Sequence, residues 1–308
     1  MYKKNICISK NTIYIFLFSS LILSMLSSPE YISSLVLEKM IFVSSKVIPS
    51  ILPFVFLCDI LLSLDIDLYL TRPFIRPMQK LKRNPYAVGA ILMGSISGFP
   101  VGAIYTKQLY EKGMISKKEA DIILPTSTIP SPAFIICFIG RYILRSEKIG
   151  VLLWIFMLII SLSLCIFCLP SYRKTNIDVR RKNTDINLSK QITDSAHKSS
   201  VVCLNVTVLL VLFGLISEYM TLCLKKLYVD KYTIASLVSI IELTSGIKCS
   251  SDLPLFSLQY IFFCTGFCGL CVYFQIMSVA HKNADSKMYN FIKMLVGLFL
   301  SVFAFLLL

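Results

Sequence analysis

From Val151 to Leu169 the chain runs without a charged side chain, and apolar stretches of this kind recur along it, the last ending Met294 to Leu308. Nothing else in the sequence restricts the fold so tightly. A run of about 18 or more apolar residues crosses the hydrocarbon of a bilayer as a helix. No water is available at that depth, so every backbone N–H and C=O must be satisfied within the protein. Only helices and closed barrels achieve this, and runs of this length select the helix. Composition agrees: 56% of the 308 residues are hydrophobic, against about 45–50% in a soluble domain. The chain is therefore expected to be all-α and polytopic, a multi-pass protein of a cell membrane.

The formal net charge of +14 fits that setting. Lys and Arg gather between the apolar runs, at Thr71 to Arg83 and Ser171 to Lys198, where such residues set topology and meet anionic lipid. No aromatic-interleaved basic motif accompanies them, so the bilayer and not nucleic acid is the expected partner. The eleven cysteines are scattered and mostly intramembrane, which reads as small-residue packing and not as a disulfide framework. Cys264, Cys268 and Cys271 fall at one face of a helix. No acidic cluster joins them, and His197 and His281 sit in polar loops, so neither a metal nor another cofactor is expected. The chain offers no nucleophile–His–acid set and no phosphate loop, which argues against an enzyme.

The first residues, "MYKKNICISKNTIYIFLFSSLILSMLSSPE", have the basic start and apolar core of a signal peptide but no A-x-A-like cleavage site. An uncleaved first span near Ile13 to Leu26 is expected. The second, Ile41 to Leu64, contains Pro49 and Pro53 and should kink. Further apolar segments cover Ala87–Tyr105, Ile122–Gly140, Ile149–Leu169, Ser199–Leu224, Tyr232–Ile247 and Pro254–Ala280, before the last span to Leu308. The positive-inside rule puts both basic segments in the cytoplasm. An even number of crossings must separate them, so Ala87–Tyr105 has to enter and leave on one side, and Tyr232–Ile247 dips from the opposite face. About seven full spans and two re-entrant hairpins result, with residues 1–40 as anchor and loop and 171–198 as a basic linker. Residues 41–170 and 199–308 then form the two halves of an inverted repeat.

The segment "GSISGFPVGA", Gly94 to Ala103, carries a helix breaker where hydropathy alone would draw a straight span. Half-segments of about ten residues rise about 15 Å, half of a hydrocarbon core of about 30 Å. The tip therefore sits at the midplane. Pro100 suits the first turn of a new helix, leaving N–H groups from Val101 to Ala103 without helical acceptors. With the positive end of the helix dipole, they suit an anion. Breaks at "PTSTIPSP" and "ELTSG" repeat the pattern, and secondary transporters place their sites at such breaks. The alternative is that Gly98 and Gly102 only let two helices pack closely. Glu242 is a functional candidate because a carboxylate at that depth is costly; the alternative is a structural pair with Lys248 or Arg141. Asp59 and Lys46 are weaker candidates, within reach of an interface. The expected midplane site has Ser97, Gly98, Pro100, Gly102, Thr128 and Ser131 on one side. Glu242, Thr244, Ser245, Gly246 and Gln275 form the other.

These motifs resemble those of the YlbJ-type sporulation integral membrane proteins, which carry a nucleoside-recognition, or Gate, domain. The family's "SGYPVGA" is similar to Ser97–Ala103, its "FPFF" to Leu52–Val55, and its "SPLFI…G" to Ser131–Ile135 with Gly140. Its "EITSG" is similar to Glu242–Gly246 and its "GFGGLSVHxQ" to Gly266–Gln275. The correspondence runs in order from about residue 45 to the C-terminus. Thr128, Cys271 and Tyr273 stand where the family has Asn, Ser and His. The resemblance implies two Gate-like halves and transport of a small anionic solute, dipicolinic acid, during spore maturation. It also implies a place in the bacterial cell membrane that surrounds the forespore. Nucleoside or metal transport, as in the wider Gate superfamily, is an alternative. So is a non-transporting membrane scaffold that recruits other sporulation proteins. Further copies of the chain or other sporulation membrane proteins are expected as partners beside the solute and the bilayer.

Overall fold

The computed structural model describes residues 10–64, 66–171, 188–253 and 255–307; most of the expected basic linker, residues 172–187, lies outside them. Among the described residues all regular structure is helical. The first half contains α1 (Lys10–Ser27), α2 (Pro29–Phe42), a π-helical turn (Val43–Val47), α3 (Ile48–Ser63) and α4 (Ile66–Lys80). It continues with α5 (Tyr86–Ser97), α6 (Phe99–Glu111), α7 (Lys117–Ser127), a π-helical segment (Ala133–Ile143) and α8 (Glu147–Cys168). The second contains α9 (Leu188–Lys226), α10 (Lys231–Ile241), α11 (Leu243–Ser251), α12 (Ser257–Phe267), α13 (Gly269–Val279) and α14 (Ser286–Leu306).

Local chemistry explains where these helices start. Ser116 and Glu119 form a reciprocal capping box at α7, while Asp230 and Asp285 accept the first free N–H groups of α10 and α14. Two expectations shift. The second span begins at Pro29, not Ile41, and bends by 48° between Pro29–Val47 and Ile51–Leu61. Pro49 and Pro53 lack the N–H that an α-helix needs at those places, and the wider π turn takes up the mismatch. The basic connector after it is helical: α4 buries Thr71 and Met78 and half-buries Phe74 and Ile75, leaving Arg72 and Arg76 exposed.

Among the described residues, four helices are long and apolar enough to cross a membrane: Glu147–Cys168, Leu188–Lys226, Ser257–Val279 and Ser286–Leu306, with the bent pair near the N-terminus as a fifth. The first of the two expected hairpins folds back on itself. A Cβ added to Gly94 would stand 3.2 Å from the Cα of Gly102, whereas eight residues of continuous helix span about 12 Å. Asn84, before α5, donates to the carbonyl of Met114, after α6, at 3.0 Å, so both feet of this hairpin share one side. In the second, a Cβ on Gly246 would lie 2.5 Å from the Cα of Ser239.

The order hairpin, broken span, long helix then occurs twice. Gly140 packs against Gly150 of α8, and Gly266 against Gly297 of α14. Each broken span also presents its break to the preceding hairpin. The Ser127 carbonyl lies between Gly94 and Gly102, and Gly269 lies beneath the carbonyls of Ser239 and Ile240. That second break, at Cys268 with φ +72°, was not expected.

Contacts define one end of the bundle. Arg83 Nε donates to the Ile166 carbonyl at 2.8 Å, and Lys198 pairs with Asp59 at 3.1 Å. Both basic segments therefore meet the same end. There Asp121 accepts from Lys117 Nζ at 2.9 Å and from the Asp285 N–H at 3.0 Å, and pairs with His281 Nε2 at 3.0 Å. Burial raises the proton affinity of this carboxyl, but Lys117, the Asp285 N–H and His281 together hold it below the usual carboxylate range. A lowered folded value stabilises the fold above the unfolded value of about 3.9 and is lost as pH falls through the folded one. Asp121→Asn should therefore melt earlier than wild type at neutral pH. In thermal melts in detergent that difference should shrink on acidification below about pH 3.9.

Candidate functional site

The bend near Val47, both hairpin tips and one face of α13 converge on a cavity of about 50 Å³. A cavity needs only about 10–15 Å³ to hold a water, so this neck admits a few waters. On either side of it lies a larger cavity, one of about 500 Å³ and the other of about 410 Å³.

Helix α9 measures their order. His197, Lys198 and Val202 line the larger cavity, and Val206 and Leu210 line the neck. Gly214 and Ser217 contact Lys39 and Ser245, which line the third cavity. Lys198 and Ser217 are nineteen residues apart, or about 28 Å at 1.5 Å per residue, close to a hydrocarbon thickness of about 30 Å. The bent second span repeats the sequence in reverse, with Asp59 and Val55, then Ile51 and Val47, then Phe42 and Lys39. Three cavities are thus stacked across one membrane thickness, with the constriction in the middle.

Of the expected site residues, five line the neck: Gly98 and Ser131 from one half, Glu242, Thr244 and Gln275 from the other. Gly98 has φ +94° and no side chain with which to cap α6. That helix begins at Phe99, so Pro100 stands in its first turn, as expected. The remaining six stand outside. Ser97 hydrogen-bonds Cys58 Sγ at 2.8 Å behind the tip. Gly102 and Gly246 face backbone, Ser127 and Ser239 respectively, so Gly98 makes the break whereas Gly102 makes the close packing. Thr128 turns its hydroxyl back to the Pro125 carbonyl at 3.2 Å. Ser245 accepts from Ser217 at 3.0 Å and from Lys39 Nζ at 3.5 Å, on the side of the third cavity.

Glu242 is 1% exposed, and its partners are those of its own helix. It is the N-cap of α11: Oε1 accepts from the Thr244 N–H at 2.8 Å, and Oε2 from the Ser245 N–H at 2.6 Å and Thr244 Oγ at 2.7 Å. It pairs with neither Lys248 nor Arg141; Arg141 binds Glu147 at 2.6 Å. The buried carboxylate neutralises the positive end of α11, while the facing start of α6 has no such anion. Asp59, expected within reach of an interface, is buried against Ser195 Oγ at 2.7 Å and Lys198.

Several residues escaped the sequence reading. Phe99 and Phe134 bring aromatic rings to the neck, and both look like ordinary lipid-facing residues in the sequence. Lys293 is fully buried behind the breaks, but its nearness to the start of the last span disguises it as an interfacial lysine. His281 is buried and not in an open loop, and His197 lies on α9. The three thiols at 264, 268 and 271 do not converge, because Cys264 donates to Ser239, Cys268 to the Thr265 carbonyl, and Cys271 accepts from Gln275. The left-handed residue 268 breaks the helix face that would have aligned them.

Fold and apolar spans define a multi-pass, all-helical integral membrane protein. The chain is similar to the sporulation integral membrane protein YlbJ of Bacillus subtilis (strain 168), at 25% identity over 303 residues, covering 85% of this chain and 74% of that protein. This likeness supports the YlbJ-type assignment and, with it, a membrane role in sporulation. No family model matches the chain, and no solved structure matches it.

Proposed function

We propose that the chain transports a small anionic solute, dipicolinic acid by the family resemblance, with the neck between the hairpin tips as its midplane site. The observation that carries this reading is the stack of cavities, about 500, 50 and 410 Å³, over one membrane thickness. A scaffold has no need of two vestibules that meet at a narrow constriction. Either vestibule has room for a single-ring dicarboxylate, and the hairpin tips must part to let it through. The uncapped start of α6 is the natural end for a carboxylate, with the rings of Phe99 and Phe134 flanking an aromatic body. Ser131 and Gln275 supply polar contacts to the second carboxylate. The positive-inside rule puts the vestibule with His197 and Lys198 on the cytoplasmic side.

The test is the dipicolinic acid content of spores from a deletion strain, complemented with wild type or with Ser131→Phe, which fills the neck. Low content that only the wild type restores is the expected result. Normal content in the deletion strain removes dipicolinate as the solute.

A further inference from the structure

Lys293 is 1% exposed on α14, one of the helices long enough to cross the membrane. Its ammonium donates to the carbonyl of Thr128 and lies 3.9 Å from Cys268 Sγ. These two partners are not arbitrary. Thr128 is the residue at which α7 ends, and Cys268 the one at which α12 ends. The Cys268 thiol itself donates to the carbonyl of Thr265, in the last turn of α12, at 3.1 Å. Helix ends of this kind carry carbonyls without helical donors and about half a negative charge each. Lys293 therefore stands between the negative ends of two half-helices, one from each half of the chain, whose summed charge of about −1 matches a single ammonium.

No carboxylate shares this position. Among the described residues Lys293 forms no ion pair. In transporters built from broken helices, the C-terminal ends of half-helices and unwound carbonyls coordinate a coupling cation. Here a side chain already occupies such a place.

We propose that Lys293 is a tethered cation standing where a diffusible sodium or potassium ion would otherwise bind, so that flux through the neck needs no metal cation. This rests on the transport reading above, and the test therefore has one arm that involves no transport.

The first arm measures uptake of labelled dipicolinate into proteoliposomes in sodium, potassium or N-methylglucamine chloride. Wild type should carry equal flux in all three. The second arm measures melting of Lys293→Ala in detergent. Its melting temperature should fall below wild type and recover with propylammonium, which fits the vacated space, but not with tetramethylammonium at equal ionic strength. Wild type should respond to neither amine. Lys293→Met keeps the volume without the charge and should lose flux in every salt, and it serves if the alanine variant does not fold. A sodium or potassium requirement in wild type overturns the proposal. So does a Lys293→Ala protein that melts like wild type or ignores propylammonium, or a Lys293→Met protein with full flux. If wild type carries no dipicolinate in any salt, the transport reading fails, and the amine response alone decides whether Lys293 is a tethered cation.

Discussion

Gly102→Ala is expected to destabilise the protein strongly. A Cβ at that position would collide with the carbonyl of Ser127, and the next nearest atom is the Cα of Gly94 at 3.1 Å. Both neighbours are backbone, held in place by a hairpin on one side and a broken helix on the other. Overpacking of this kind costs about 3 kcal/mol when nothing flexible can yield, a large part of the stability of a chain this size. Gly214→Ala is the matched control. Its nearest neighbours are side-chain carbons of Lys39 from 3.2 Å, which can move, and alanine gains up to about 1 kcal/mol over glycine inside a helix. Melting in detergent should separate the two, with Gly102→Ala melting well below wild type and Gly214→Ala at or above it. A Gly102→Ala protein that melts like wild type would mean that the hairpin and the α7 break are not in contact.

The second large effect is expected at Glu242, where one carboxylate satisfies three donors at the start of α11. Glu242→Gln keeps one acceptor oxygen but loses the charge and turns an NH2 group toward an N–H. The expected loss is about 2 kcal/mol, the upper range for an N-cap, together with most of the flux. Glu242→Asp distinguishes the cap from the site. Aspartate is a good N-cap, so it should restore melting close to wild type while withdrawing the carboxylate from the neck. Flux should then stay low. Recovery of both quantities in Glu242→Asp would make the residue a cap alone, with no part in the path.

The breaks that could be read in advance are those announced by chemistry that apolar helices avoid. Pro100 after Gly98, Pro130 and Pro132 after Thr128, and Glu242 ahead of Thr244 each oppose a continuous membrane helix, and each marks a real interruption. The break at Cys268 gave no such notice, because the left-handed residue is a cysteine and Gly269 follows it in a run that hydropathy carries straight through. Which residues of a motif face the cavity was also not legible. Gly98 and Gly102 are four apart, and only the fold-back of α5 on α6 turns one to the neck and the other to Ser127. Glu242 was recognisable as a costly carboxylate, but its three donors depend on an extended backbone at residue 242 that pattern alone does not specify. Lys293 was hidden for a different reason. A lysine close to a span terminus usually snorkels to the interface, and only the arrival of Thr128 and Cys268 from distant helices makes it a buried charge.

The measurement that bears most directly on the central claim is uptake of labelled dipicolinate by liposomes containing the purified protein, compared with protein-free liposomes. The account predicts saturable uptake that unlabelled dipicolinate competes away and that Ser131→Phe abolishes while the protein still melts cooperatively. Uptake no greater than in protein-free liposomes, or flux undiminished with the neck filled by phenylalanine, would contradict it.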